Sequence, residues 1–167
     1  MVGAPLTNKY IITNPIPHII KRNRLLHTQA LWVIMDPWIL QPRHDYAKYA
    51  DINLTNNIYT DRIIKYLSYV TNWIVSCEHT IATTPEFRYI TQVTHGDNLE
   101  LHMQTLGLTR IVYTGFHWGR CILGRHDGAK RMSEKYKCYA KQELCGPHPE
   151  DNQELMTEYS KNYLTCF

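Results

Sequence analysis

Cys121 stands where a strand, a glycine turn and a helix are expected to succeed one another. The segment reads TRIVYTGFHWGRCILGRHDGAKRM over residues 109–132. Its β-branched run at 110–114 predicts a strand, Gly115 a turn, and residues from about 118 to 135 a helix. A thiol at a helix start meets unpaired backbone N–H groups and the positive end of the helix dipole, which favour the thiolate. The expected chemistry is therefore nucleophilic attack by sulfur; the plainer alternative is a buried structural cysteine in an ordinary strand–helix unit. A second reactive group, Asp36, ends the apolar run ALWVIM at 30–35 and precedes Pro37. A carboxylate beside a thiol can take its proton and later return it to a leaving group. Backbone N–H groups at 118–121 would hold an oxyanion, which completes a logic for acyl transfer through a thioester.

That pairing works only if the elements deliver both residues to one crevice. The continuous apolar run at 30–35 suits a strand buried on both faces, as in a parallel sheet. Residues 37–56 read as loop, and a helix is expected from Asn56 or Asn57 to about residue 72, with Ile63, Ile64, Leu67 and Val70 on one face. Further strands are expected at 73–77, weakly at 87–93, at 110–116 and at 137–144. Further helices are expected at 99–106, stopped by Gly107, and at roughly 150–163. Strands alternating with helices predict a single-domain α/β three-layer sandwich, with a mostly parallel sheet of about five to six strands and helices on both faces. In such sheets ligands bind beyond the carboxyl ends of the strands, where Asp36 and Cys121 both fall.

Composition agrees with a globular domain: 167 residues, 44% hydrophobic, 20% charged. A net charge of +3 is too small to demand nucleic acid or an anionic membrane as partner. The run Lys21-Arg22-Asn23-Arg24 is short and local, so a nucleic-acid role is not expected. No apolar stretch approaches the ~20 residues of a bilayer span, so no membrane association is expected. Residues 1–28, rich in Pro, Asn and basic side chains, read as an N-terminal arm ahead of a domain over 29–167, and carry no signal-peptide pattern. The five cysteines are odd in number, widely spaced and without a CxxC; reduced thiols in a cytoplasmic protein are expected.

Three segments resemble the isochorismatase-like cysteine hydrolases, the family that includes nicotinamidases and N-carbamoyl amidohydrolases. They are ALWVIMDPW, LHMQTLGLTRIVYTG and FHWGRCILGRHDGAKRM, with KYKCYAKQELCG at the place of the family's fifth strand. The resemblance covers roughly residues 29–160. It implies a six-stranded, mainly parallel sheet, a homo-oligomer, and a non-proline cis peptide at about Phe116 to Trp118, before the nucleophile. It also implies hydrolysis of a small amide, ureide or related substrate by a catalytic Asp, Lys and Cys. Asp36 and Cys121 match by motif. The lysine has no match, because residues 79–109 contain none. The basic candidates there are Arg88, by spacing from Leu106-Gly107, and His95, by its place near a strand end. Arg supplies charge only, whereas His can also move a proton.

Other residues complete the expected pocket. Trp38 follows Asp36, where it would stack on a planar substrate or form an apolar wall. His117 and Trp118 precede the nucleophile and are expected to line the pocket; core packing is the alternative for Trp118. Arg120 and Arg125 flank Cys121 and would either lower its pKa or lie on a solvated helix face. Gly124 and Gly128, inside the expected helix, point to close packing. No metal and no cofactor are expected: the resemblance implies an Asp-x-His motif in the metal-binding, nicotinamidase-type members, Asp45 has no histidine two residues on, and no phosphate-binding glycine pattern occurs. The missing lysine leaves a second function class, a non-catalytic binding or assembly member of the family.

Overall fold

The computed structural model describes residues 24–37, 50–77, 85–93 and 96–167, without the side chains of 50–57 and 96–97. Trp38 and His95 lie outside these residues, as do residues 1–23 of the expected arm. Residues 24–28 of that arm belong to helix α1 (Arg24–Gln29), tied to the next strand by the Trp32 indole N–H, which donates to the Leu26 carbonyl at 2.8 Å.

Six parallel strands form one sheet in the order β3-β2-β1-β4-β5-β6. They are β1 (Ala30–Met35), β2 (Trp73–Ser76), β3 (Gln92–Val93), β4 (Arg110–Phe116), β5 (Lys137–Gly146) and β6 (Thr165–Cys166). Helices α2 (Ala50–Tyr66), α3 (Gly96–Leu106), α4 (Cys121–Gly124), α5 (Ala129–Met132) and α6 (Gln153–Ser160) complete the described chain. Every residue of β1 is buried, as a central parallel strand requires. Leu31, Val33 and Met35 pack with Ile111, Tyr113, Leu99 and Met103 on one face; Ala30, Trp32 and Ile34 pack with Val112, Ile63 and Val70 on the other. The two-residue period of the strands thus builds both cores at once. Among the described residues, no helix is long and apolar enough to cross a membrane.

Four elements differ from expectation. The helix expected from Asn56 or Asn57 to about residue 72 starts earlier, at Ala50 within the stretch read as loop, and gives way to a 3₁₀ turn at Leu67–Tyr69, with Val70 extended, because the Asn72 carbonyl must accept from Trp32 N–H as β2 joins the sheet. The weak strand expected at 87–93 is a 3₁₀ turn at Pro85–Phe87 followed by only two strand residues; the turn lets both Phe87 and Ile90 point inward. The helix expected at 118–135 is two single turns, α4 and α5, with the chain reversing between them. Gly128 permits the reversal, since a Cβ there would lie 2.6 Å from the Leu123 carbonyl oxygen. The sixth strand, invisible in the sequence, is the two-residue edge β6.

β1 is the switch point: its chain neighbour β2 lies on one side and β4 on the other. Met35 pairs with Ser76 and with Gly115, so the ends of three strands converge. A Cβ on Gly115, at φ 97°, would stand 2.3 Å from the Met35 carbonyl oxygen. Only glycine lets the two central strands approach at that point.

Candidate active site

Asp36 occupies the first position past β1 with φ 45°, a left-handed backbone that costs a non-glycine residue about 1–2 kcal/mol. Its N–H donates to the Ser76 carbonyl at 2.8 Å, so the chain stays bound to the sheet while it turns. The Asp36 carboxylate is buried, with its side chain 2% exposed, and lies close enough to the Cys121 thiol for its charge to hold the proton on sulfur. The His117 backbone also acts on the Cys121 sulfur, in the direction that favours the thiolate. The peptide bond between Phe116 and His117 is cis, within the stretch the resemblance indicates.

The thiol does not behave as the strand–turn–helix order predicts. Burial, then the charge of Asp36 and the hydrogen bond to it, push Cys121 up to about 12, outweighing the opposing influence of Arg125 and the His117 N–H. The helix that was to supply a dipole is a single turn, α4, and one turn sums few peptide dipoles. The resting sulfur is therefore a thiol beside a carboxylate.

The cation at Asp36 is Arg125. Its Nη1 donates to Asp36 Oδ1, and its Nε lies 3.8 Å from Asp127 Oδ1. Arg88 is instead exposed, on the turn after the Pro85–Phe87 segment. Arg125 follows α4 in extended conformation, and the chain reversal that Gly128 permits holds it and Asp127 over the strand ends. Asp127 is fully buried. Ser76 Oγ donates to its Oδ2, and its own carbonyl accepts from the Tyr113 hydroxyl at 2.7 Å. Cys77 shares this environment, and burial followed by the Asp36 charge pushes it up to about 12.

The remaining predicted residues divide. His117 is buried, its ring 5.2 Å from that of His148. Trp118 packs in the core at 1% exposure, with its indole N–H donating to Thr157 Oγ1 at 3.2 Å. Arg120 makes two 2.8 Å hydrogen bonds to Asp151. Among the described residues, no group of three His, Cys, Asp or Glu side chains is placed to hold a metal ion. Sequence reasoning missed Asp127 and Ser76 and set Arg125 aside. The signal lay in RHDG: charged residues between two glycines, where a helix would otherwise run.

No family model and no curated protein matches the sequence. Solved structures do match. An isochorismatase-like hydrolase from Alkaliphilus metalliredigens superposes with a TM-score of 0.60 at 12% identity, covering 84% of this chain and 93% of that one. The chain has the isochorismatase-like fold. A nicotinamidase from Staphylococcus aureus shares it with a TM-score of 0.58 at 13% identity, over 84% of this chain and 99% of its own. An N-carbamoylsarcosine amidase from Thermoplasma acidophilum does so at 0.51 and 12%, over 83% and 95%. At such identities the fold is what is held in common.

Proposed function

We propose that this protein is a hydrolase that cleaves the C–N bond of a small amide, ureide or related substrate through a Cys121 thioester. The observation that carries the reading is the closeness of the Cys121 thiol to the buried Asp36 carboxylate at the switch point of the sheet, where the Asp36 charge acts on the thiol. The nicotinamidase and the amidase that share the fold support the C–N assignment.

In this reading Asp36 takes the thiol proton as sulfur attacks the carbonyl carbon. The C–S bond forms, and the oxyanion is held by backbone N–H groups at the start of α4. The protonated Asp36 then passes its proton to the departing nitrogen as the C–N bond breaks. Asp36 next takes a proton from water, which attacks the thioester and frees the acid and the thiol. Arg125 holds the Asp36 carboxylate in place and supplies fixed positive charge, the electrostatic part of the role the resemblance gives to lysine. Being permanently charged, it transfers no proton. The route avoids a preformed thiolate, which matches a thiol held near 12.

The test is a panel of small primary amides and N-carbamoyl compounds, scored by ammonia release and by the acyl mass trapped on the Cys121 peptide. Turnover should vanish in Cys121→Ala. Full turnover in that variant would end the proposal. The non-catalytic reading rests on the absent lysine, and Arg125 against Asp36 removes much of its force.

A further inference from the structure

Asp127 takes no step in the reaction just described, yet it is fully buried against Arg125. Burying a carboxylate in an ion pair is expensive, and apolar residues in its place often cost nothing, so stability does not account for it. Its contacts do. Ser76, at the end of β2, donates from Oγ to Asp127 Oδ2. Tyr113, inside β4, donates from its hydroxyl to the Asp127 carbonyl at 2.7 Å. Strands on both sides of β1 thus grip Asp127, one by its side chain and one by its backbone. The other carboxylate oxygen, Oδ1, lies 3.8 Å from Arg125 Nε as an ion pair, while Arg125 Nη1 donates to Asp36. The guanidinium is a rigid planar fork. Held at Nη1 alone it can swing about that contact; held at Nε as well, its plane is set.

We propose that Asp127 is a positioning residue: clamped by Ser76 and Tyr113, it sets the plane of the Arg125 guanidinium and through it the orientation of the Asp36 carboxylate. The catalytic consequence rests on the hydrolase reading above, but the held guanidinium can be read without turnover. Asp127 acts on the reaction only through Arg125, so its removal should slow the chemical step and leave substrate binding alone.

The experiment is Asp127→Asn. The carboxylate uses both of its oxygens, one for Ser76 and one for Arg125, and an amide has only one to offer. With the fastest primary amide of the panel above, kcat should fall about 10- to 100-fold while KM stays within about twofold. Ser76→Ala, which keeps the carboxylate and removes its clamp, should lower kcat by about 3- to 10-fold, and serves as the second variant if Asp127→Asn does not fold. Lysine is a point charge with no plane to set, so in an Arg125→Lys background Asp127→Asn should cost little further kcat. Nitrogen NMR of Arg125 reads the geometry without turnover. Its two Nη signals should be separate in the native protein and in Cys121→Ala, and should merge in Asp127→Asn as the guanidinium is freed to rotate. Unchanged kcat in Asp127→Asn, with turnover that Cys121→Ala abolishes, overturns the assignment and leaves the hydrolase reading standing. Equal kcat losses in the native and Arg125→Lys backgrounds overturn it too, because the loss then does not pass through the guanidinium plane. So do Nη signals that stay separate in Asp127→Asn. Signals that merge as expected, with no turnover of any C–N substrate by the native protein, would sink the hydrolase reading and leave Asp127 as the residue that fixes Arg125.

Discussion

Replacing Asp36 with asparagine should move two properties of Cys121 in opposite directions. In the native protein burial is the largest cause of the raised thiol, and the Asp36 charge and hydrogen bond come next. At a pKa of about 12, roughly one thiol in ten thousand is ionised at pH 8. A neighbouring charge shifts such a group by about 1–3 units. Asparagine removes that charge and leaves Arg125 favouring the thiolate, so the ionised fraction should rise about 10- to 1000-fold. A thiolate of lower pKa is a poorer nucleophile, with a Brønsted slope of about 0.5, which trims the gain in alkylation to about 3- to 30-fold. Hydrolysis should meanwhile fall about 10²–10⁴-fold, because the general base is gone. The assays are iodoacetamide labelling of the Cys121 peptide against pH, and ammonia release from the best amide. Circular dichroism and a urea midpoint establish that the variant is folded, since Arg125 keeps Asp127 as a partner. A folded variant that alkylates no faster than the native protein would refute the premise that Asp36 holds the thiol proton.

Three further outcomes follow from the same contacts. Arg125→Met leaves Asp36 and Asp127 buried without their cation and should cost about 3–5 kcal/mol by urea titration, whereas Arg125→Lys should recover part of both stability and turnover; equal loss in both would show that charge is not what Arg125 supplies. Gly115→Ala sets a methyl 2.3 Å from the Met35 carbonyl oxygen at φ 97° and should cost about 3 kcal/mol or more, read as a drop in Tm, with turnover falling because Asp36 is the next residue. The Asp151 carboxyl is held below its usual range first by its hydrogen bond from Arg120, so its contribution is present above the unfolded value of about 3.9 and is lost as pH falls through the lower folded value. Asp151→Asn should therefore cost no more than about 1 kcal/mol at neutral pH and nothing at a pH well below both values, checked by urea midpoints at the two extremes.

The central strands were legible because their sequences are unambiguous. ALWVIM is apolar throughout and closed by Asp-Pro, and the run at 110–116 is β-branched and reaches a glycine, so β1 and β4 fall where expected. The Gly107 stop was legible for a similar reason: φ 65° there ends α3, and Leu108 N–H donates back to the Met103 carbonyl. Elements that tertiary contacts decide were not legible. β6 is two residues at a sheet edge, too short for any periodicity. The 87–93 stretch alternates weakly, yet burying Phe87 and Ile90 together requires a turn rather than a strand.

The site divides along the same line. Asp36 and Cys121 sit at the ends of legible strands, so their meeting followed from topology. The cation did not, because the resemblance places a lysine within 79–109, and a continuous helix from 118 to 135 would carry Arg125 to a solvated face. The geometry shows why that segment is not needed. A guanidinium carried four residues past Cys121 can return to Asp36 only if the helix stops after one turn, and RHDG between Gly124 and Gly128 stops it. The same reversal buries Asp127 beside Arg125 and against Ser76. The helix interruption and the positioning of the cation are thus one feature. Gly128→Ala tests this link: its methyl would press on the Leu123 carbonyl, so turnover should fall by more than the stability loss accounts for. If activity per folded molecule stays unchanged, the reversal does not position Arg125.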